Sequence, residues 1–219
     1  MDDDVLKRID VLSKFITDKK KARIEKVLSH RTNYLTFVLE DIFQSQNASA
    51  TIRTGEILGL SDIHVIDNKN KYVLNPDITL GSSQWINLNK YKNPKFAIDK
   101  LRSDGYSIVA TSLDEQSINL ENFPINNKMA VFFGTELTGL SSEVLEAADL
   151  YVKIPMHGFT QSYNISVAVG IVMYSLSIRL RKSSIDYLLN DSEKSNLRLK
   201  YYRKVVKNYQ FIENLINNS

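Results

Sequence analysis

The sequence predicts an α/β domain on a mostly parallel sheet, and three observations predict it. Short apolar runs alternate with amphipathic helical patterns, which is the grammar of successive β-α-β units. The first run, Leu35-Thr36-Phe37-Val38-Leu39, is too apolar for a half-exposed strand and suits one covered on both faces. Three of the runs lead into polar, turn-forming loops that open a helix, around 47–53, 134–139 and 154–166. In open parallel sheets such loops leave the carboxyl ends of strands, where ligands bind.

Along the chain, Val5, Ile9, Leu12 and Phe15 recur at helical spacing, and Ile24, Val27 and Leu28 continue the pattern past a break expected at Lys19–Lys21. Residues 1–30 are read as an N-terminal helical extension and 31–182 as the main domain. After the first strand, Asn47 or Ser49 is expected to cap a helix carrying Ile52, Ile57 and Leu58, which Gly59 ends. Ile63–Ile66 is the next strand. The segment from Asp67 to Asn93 lacks clear periodicity and reads as a long excursion with at most a short helix. A helix over 94–104 places Phe96, Ile98 and Leu101 on one face, and Gly105 separates it from a strand at 106–111. The strand at 128–133 runs into Gly134, and Ser141 starts a short helix. The strand Leu150–Ile154 precedes Pro155, which ends the ladder because it lacks an N–H. Gly158 then lets the loop turn, and Ser162 or Asn164 caps a largely buried helix reaching about Leu180. Residues 183–219 form a C-terminal helical extension with a stripe at Leu197, Tyr201, Val205 and Tyr209.

Composition removes several function classes. The 219 residues contain no cysteine, which excludes disulfides, thiolate zinc sites and cysteine nucleophiles and fits a reducing, cytoplasmic setting. Three histidines show no metal-ligand spacing. No apolar run reaches the roughly 18 residues of a membrane span, and the acidic start Met1-Asp2-Asp3-Asp4 lacks a signal-peptide pattern. The net charge of +3 is mild, but its distribution is uneven. Lys19, Lys20, Lys21, Arg23 and Lys26 gather near one end, and Arg179, Arg181, Lys182, Arg198, Lys200, Arg203, Lys204 and Lys207 near the other. These ends either hold phosphates or are solvated helix faces. The glycine-rich loop at 134–139 lacks the Gly-Lys-Ser/Thr ending of a triphosphate-binding loop, and no G-x-G-x-x-G follows the first strand.

Three motifs stand in order: Asn47 with Arg53; Phe133-Gly134-x-Glu136-x-x-Gly139-Leu140; and Ile154-Pro155-Met156-x-Gly158-x-x-x-Ser162-x-Asn164-x-Ser166. Together they resemble the motifs of the SpoU/TrmH family of RNA ribose 2′-O-methyltransferases, in the SPOUT superfamily, over about Arg23 to Arg181. The stretches Arg23–Leu28 and Leu35–Glu40 are similar to the branch acting on the tRNA D-loop guanosine at position 18. The resemblance implies helices on both faces of the sheet, a C-terminal deep trefoil knot, S-adenosylmethionine as cofactor, structured RNA (tRNA above all) as partner, and a homodimer with the site near the subunit interface. The same chemistry on ribosomal RNA, or an inactive RNA-binding knot protein, are the alternatives it leaves.

Carried over by position, the resemblance makes Arg53 the catalytic arginine at the ribose 2′-hydroxyl, with Asn47 positioning it or the substrate. Glu136 takes the acidic place of the second motif. Ser162 and Asn164 line the catalytic and cofactor pocket, and Thr111, Gly134, Ile154, Met156 and Tyr163 contact the cofactor. An arginine stays protonated, so Arg53 suits stabilising an alkoxide better than acting as a base. Tyr163, His157 and Leu137 depart from the family pattern, which has leucine, an apolar residue and lysine at those places.

Overall fold

The computed structural model describes residues 3–42, 44–68 and 74–217; residues 1–2 of the acidic start, Phe43, residues 69–73 of the excursion, and 218–219 lie outside the described residues. The chain divides into two compact units. One is Asn33–Tyr187 and the other joins Met1–Thr32 with Leu188–Ser219.

In chain order, the helices are α1 (Asp3–Ser13), α2 (Asp18–Leu28), α3 (Ser45–Ile57), α4 (Pro76–Thr79), α5 (Pro94–Ser103), α6 (Ser142–Ala147), α7 (Ile165–Lys182), α8 (Asp191–Val205) and α9 (Tyr209–Asn217). The strands are β1 (Leu35–Glu40), β2 (Asp62–Ile66), β3 (Asn87–Tyr91), β4 (Ser107–Thr111), β5 (Ile118–Asn119), β6 (Met129–Phe133) and β7 (Leu150–Lys153). The strands form one sheet in the order β3-β2-β1-β6-β4-β7-β5. Every pairing is parallel, with Val38 opposite His64 on one side of β1 and Phe132 on the other.

The strand side chains alternate between two cores. Leu35, Phe37 and Leu39 pack with Ile52 of α3 and Val169, Met173 and Leu176 of α7. Val38, Ile108 and Phe132 pack with Ile98 and Leu101 of α5 and Val144 of α6. Helices therefore cover both faces, and β1 is buried at every position. Each fully buried leucine or phenylalanine contributes about 1.5–3 kcal/mol.

Three local expectations are corrected. β3 lies in the excursion read as lacking strands. It is an edge strand of sequence Asn-Leu-Asn-Lys-Tyr, only partly buried, so it needs no apolar run. The first break among the N-terminal helices falls at 14–17, and Lys19–Lys21 open α2 instead, where the chain re-enters a helix after Thr17. Asn47 does not cap α3. Neither does Ser49: the helix already starts at Ser45, so both residues lie inside it, and Gln44 holds the cap position without a side-chain cap bond.

The second unit is helical. Leu12, Leu28, Leu197 and Tyr201 are almost fully buried in it. Two arginines of the basic C-terminal stretch are used inside it as ion pairs. Arg198 grips Glu25 through Nε and Nη2 at 2.6 and 2.7 Å, and Arg203 grips Glu213 at 2.8 and 2.9 Å. The two terminal extensions are thus one packed unit rather than separate appendages.

Candidate active site

From β1 the chain moves outward to β2 and β3, then crosses to the strands on the other side of β1. The carboxyl ends of β1 and β6 flank this change of direction, the usual place for a ligand crevice in an open sheet. The loops after β4, β6 and β7 line a cavity of about 420 Å³. Thr111, Gly134, Ile154, Met156, Ser162 and Tyr163, the six residues carried over as cofactor contacts, all line it. So do Leu113, Lys153 and Gln161, which sequence reasoning missed; their only signal was adjacency to the motifs. The Thr111 hydroxyl donates to the Phe132 carbonyl at 2.9 Å, so it turns only acceptor lone pairs elsewhere.

The loop after β6 is closed on itself. Thr135 and Gly139 exchange backbone hydrogen bonds, each at 3.0 Å, and Gly139 takes φ +68°. A Cβ on Gly134 would stand 2.1 Å from the Gly139 carbonyl carbon and 2.3 Å from the Leu140 nitrogen. Both glycines are therefore required, one by a close backbone approach and the other by a left-handed turn.

The closed loop presents Glu136 to two helices. Its Oε1 accepts from Asn47 Nδ2 at 3.1 Å, Asn164 Nδ2 at 3.0 Å and the Ile165 backbone N–H at 3.2 Å. Asn164 is the N-cap of α7, with its Oδ1 accepting from the Ser166 N–H at 2.9 Å. A carboxylate here meets an otherwise unpaired helix donor and the positive end of the α7 dipole. An ionised carboxylate only accepts, so it dictates which way both amides face. Asn164 also donates to Asn47 Oδ1 at 3.2 Å, and Asn47 donates to Gln44 Oε1 at 3.1 Å. The result is a chain of hydrogen bonds with one direction, tying together residues from all three motifs.

Arg53 stands apart from this cluster. It lies on α3 about 120° around the helix from Asn47, is exposed, and makes no hydrogen bond or ion pair with another described residue. Ser162 lines the cavity and makes no hydrogen bond with another described residue. Of the three departures, Tyr163 lines the cavity, Leu137 is 97% exposed at its edge, and His157 is exposed outside its lining.

Among the described residues there is no cluster of histidine, aspartate or glutamate able to hold a metal, and no helix is long and apolar enough to cross a membrane. What remains is a cavity with an apolar floor, polar loop edges and a directed hydrogen-bond network beside it.

The family model described as the SpoU rRNA Methylase family matches residues 34–174. The chain is 87% identical to a tRNA (guanosine(18)-2′-O)-methyltransferase of Borreliella burgdorferi, over 99% of this chain and all of that one. It is 32% identical to the enzyme of the same description from Aquifex aeolicus, over 75% of this chain and 78% of that one. Among solved structures, the A. aeolicus TrmH/SpoU tRNA modifying enzyme superposes with a TM-score of 0.76 at 31% identity, covering 87% of this chain and 98% of that one. Matching motifs, strand order and relatives agree that this chain belongs to the SpoU methylase family.

Proposed function

We propose that this chain transfers a methyl group from S-adenosylmethionine to the ribose 2′-hydroxyl of guanosine 18 in the tRNA D loop. The observation that carries the reading is the 87% identity to the Borreliella burgdorferi relative of that description, over 99% of this chain and the whole of that one.

The residues present fit the cofactor. The cavity of about 420 Å³ lies within the range of small-molecule pockets. The loops after β4, β6 and β7 would hold it through backbone groups, Thr111 and Gly134, with Ile154, Met156 and Tyr163 supplying apolar surface. S-adenosylmethionine supplies a methyl group already activated on a sulfonium, so the chain's task is chiefly alignment. Glu136, Asn47 and Asn164 form a preorganised set beside the cavity that orients the acceptor ribose. Arg53 contributes a permanent positive charge to the developing alkoxide. Ser162 on the cavity wall contributes a hydroxyl.

A homodimer belongs to this reading. Arg53 and Ile57 sit one turn apart on the exposed side of α3, and Ile57 is 70% exposed. Val167 and Tyr174 of α7, and Phe159 in the preceding loop, are exposed as well. A second copy covering this apolar surface would bring Arg53 to an assembled site. The trefoil knot is part of the same reading, formed by the segment from β6 through α7, and so is a cytoplasmic location. Lys19, Lys20, Arg23 and Lys26, all exposed on α2, contact RNA phosphates.

The test is transfer from labelled S-adenosylmethionine to unmodified tRNA and ribosomal RNA transcripts, with mapping of the methylated ribose. A single mark at guanosine 18 is expected. A mark in ribosomal RNA, or none, overturns the substrate assignment. Arg53→Ala is expected to abolish turnover and leave cofactor affinity nearly intact.

A further inference from the structure

A second, smaller cavity of about 160 Å³ adjoins the first, and its occupant can be argued from the directed hydrogen-bond chain. Thr135, Glu136, Leu137 and Ile165 line both cavities, so the closed loop after β6 is a shared wall. The far side of the small cavity is formed by Ile42, just past β1, and by Gln44 and Asn47 at the start of α3. It therefore opens at the β1–β6 change of direction, across Glu136 from the cavity assigned to the cofactor.

The geometry points to Gln44 as a specificity-determining residue that reads the base of the acceptor nucleotide in this small cavity. The inference rests on the function proposed above. Its physical content is the orientation of one amide. The Glu136 carboxylate can only accept, so Asn47 must turn its Nδ2 toward it. The same Nδ2 then donates to Gln44 Oε1 at 3.1 Å. With its oxygen engaged, Gln44 has its Nε2 amide hydrogens left to donate. The side chain is exposed, and it caps no helix N–H.

The two hydrogens of this one nitrogen can straddle the adjacent N7 and O6 acceptors of guanine. Adenine keeps N7 but carries an amino donor where guanine has O6, so it meets one of the two hydrogens donor to donor. Ile42 and Ile165, each 6% exposed, give the cavity an apolar floor, and Leu137, 97% exposed, stands free at its lip to cover a flat base.

The experiment uses the full chain, S-adenosylmethionine, and tRNA transcripts carrying guanosine, inosine or adenosine at position 18. Inosine keeps O6 and N7 and lacks only the 2-amino group, so it is expected to react like guanosine. Adenosine is expected to be slower in kcat/KM by roughly 5- to 150-fold, the usual worth of a matched pair of such bonds. Gln44→Met removes the donors without adding charge. Gln44→Glu keeps an acceptor for Asn47 and removes the donors. Both variants are expected to bind S-adenosylmethionine as the unmodified chain does and to lose most of the preference for guanosine over adenosine. A guanosine preference that survives in both variants overturns the assignment. So does rejection of inosine as strong as that of adenosine, which would place recognition at the 2-amino group. An unmodified chain that methylates none of the transcripts overturns the function proposed above, and this inference with it.

Discussion

Two carboxylates in this molecule sit at the start of a helix after a loop, and they do different things. Glu40 ends β1 and is 4% exposed. Its two oxygens serve one residue, accepting from the Ser141 N–H at 2.9 Å and the Ser141 hydroxyl at 2.6 Å, and Ser141 in turn caps α6. Glu136 is exposed between two cavities, and a single oxygen takes three donors from two helices. The first is sealed and self-contained. The second leaves its other oxygen without a partner among the described residues. The contrast teaches that the same device, an acceptor at a helix start, is structural when both oxygens are used within the chain and available for chemistry when one is not.

The comparison breaks most visibly at the larger effect. Glu136→Ala is expected to lower the rate of methyl transfer by roughly 100- to 1000-fold, in the range for removing one positioned group. Stability should change by only about 1 kcal/mol, because Asn164 is exposed and the buried Asn47 keeps its bond to Gln44. Single-turnover transfer and urea unfolding on the same variant check both parts. An active Glu136→Ala enzyme would sink the contrast. Glu40→Ala should show the reverse pattern. It leaves two buried-facing donors without a charged acceptor and is expected to cost about 4 kcal/mol of stability. Cofactor affinity of the folded fraction should be preserved, as measured by titration at low temperature.

A third measurement sharpens the comparison by adding a buried group that is neither. His64 on β2 is 4% exposed, with Nδ1 3.1 Å from the Tyr91 hydroxyl. Burial pushes its imidazole down to about 4 from the ordinary 6.5. The unfolded chain therefore takes up a proton as pH falls below about 6.5, and the folded chain does not until about pH 4. Stability from this group is complete above pH 6.5 and falls through that window, by about 3 kcal/mol in all. His64→Gln should flatten that part of the unfolding profile; an unchanged acid slope would assign it to other groups. The smallest effect is expected in the terminal unit, where Asn190 and Glu193 form a reciprocal cap on α8. Asn190→Ala should cost about 1 kcal/mol by thermal unfolding, without altering the guanosine preference.

Much of this was legible before any coordinates. β1, β2, β4, β6 and β7 announce themselves as short apolar runs because both faces of the central sheet are covered. β3 does not, since an edge strand with one covered side reads as Asn and Lys between apolar residues. The terminal helices show that each has an apolar face, but amphipathic periodicity does not say which helix will cover it. Asn47, Glu136 and Asn164 were legible as a motif set, and the structure brings these three together. Their direction was not, because hydrogen-bond polarity depends on an acceptor 89 residues from Asn47. Gln44 carried no sequence signal at all beyond a polar residue ahead of a helix. The assignment of Asn47 as a helix cap failed because the helix begins two residues earlier, at Ser45, which leaves Asn47 inside its first turn.

α7 meets α3 at both of its ends. Asn164 at its start donates to Asn47, and Arg181 near its finish donates to the Leu58 carbonyl at 2.8 Å, just past the end of α3. Arg179 reaches back to the carbonyls of Leu120 and Phe123. Helices in switching proteins commonly slide past one another by a fraction of a turn. Here a slide in either direction must break a pin at each end, so α3 and α7 are locked in register like a bar bolted twice. The spacing of Asn47 and Asn164 is then a built-in gauge, set when the chain folds.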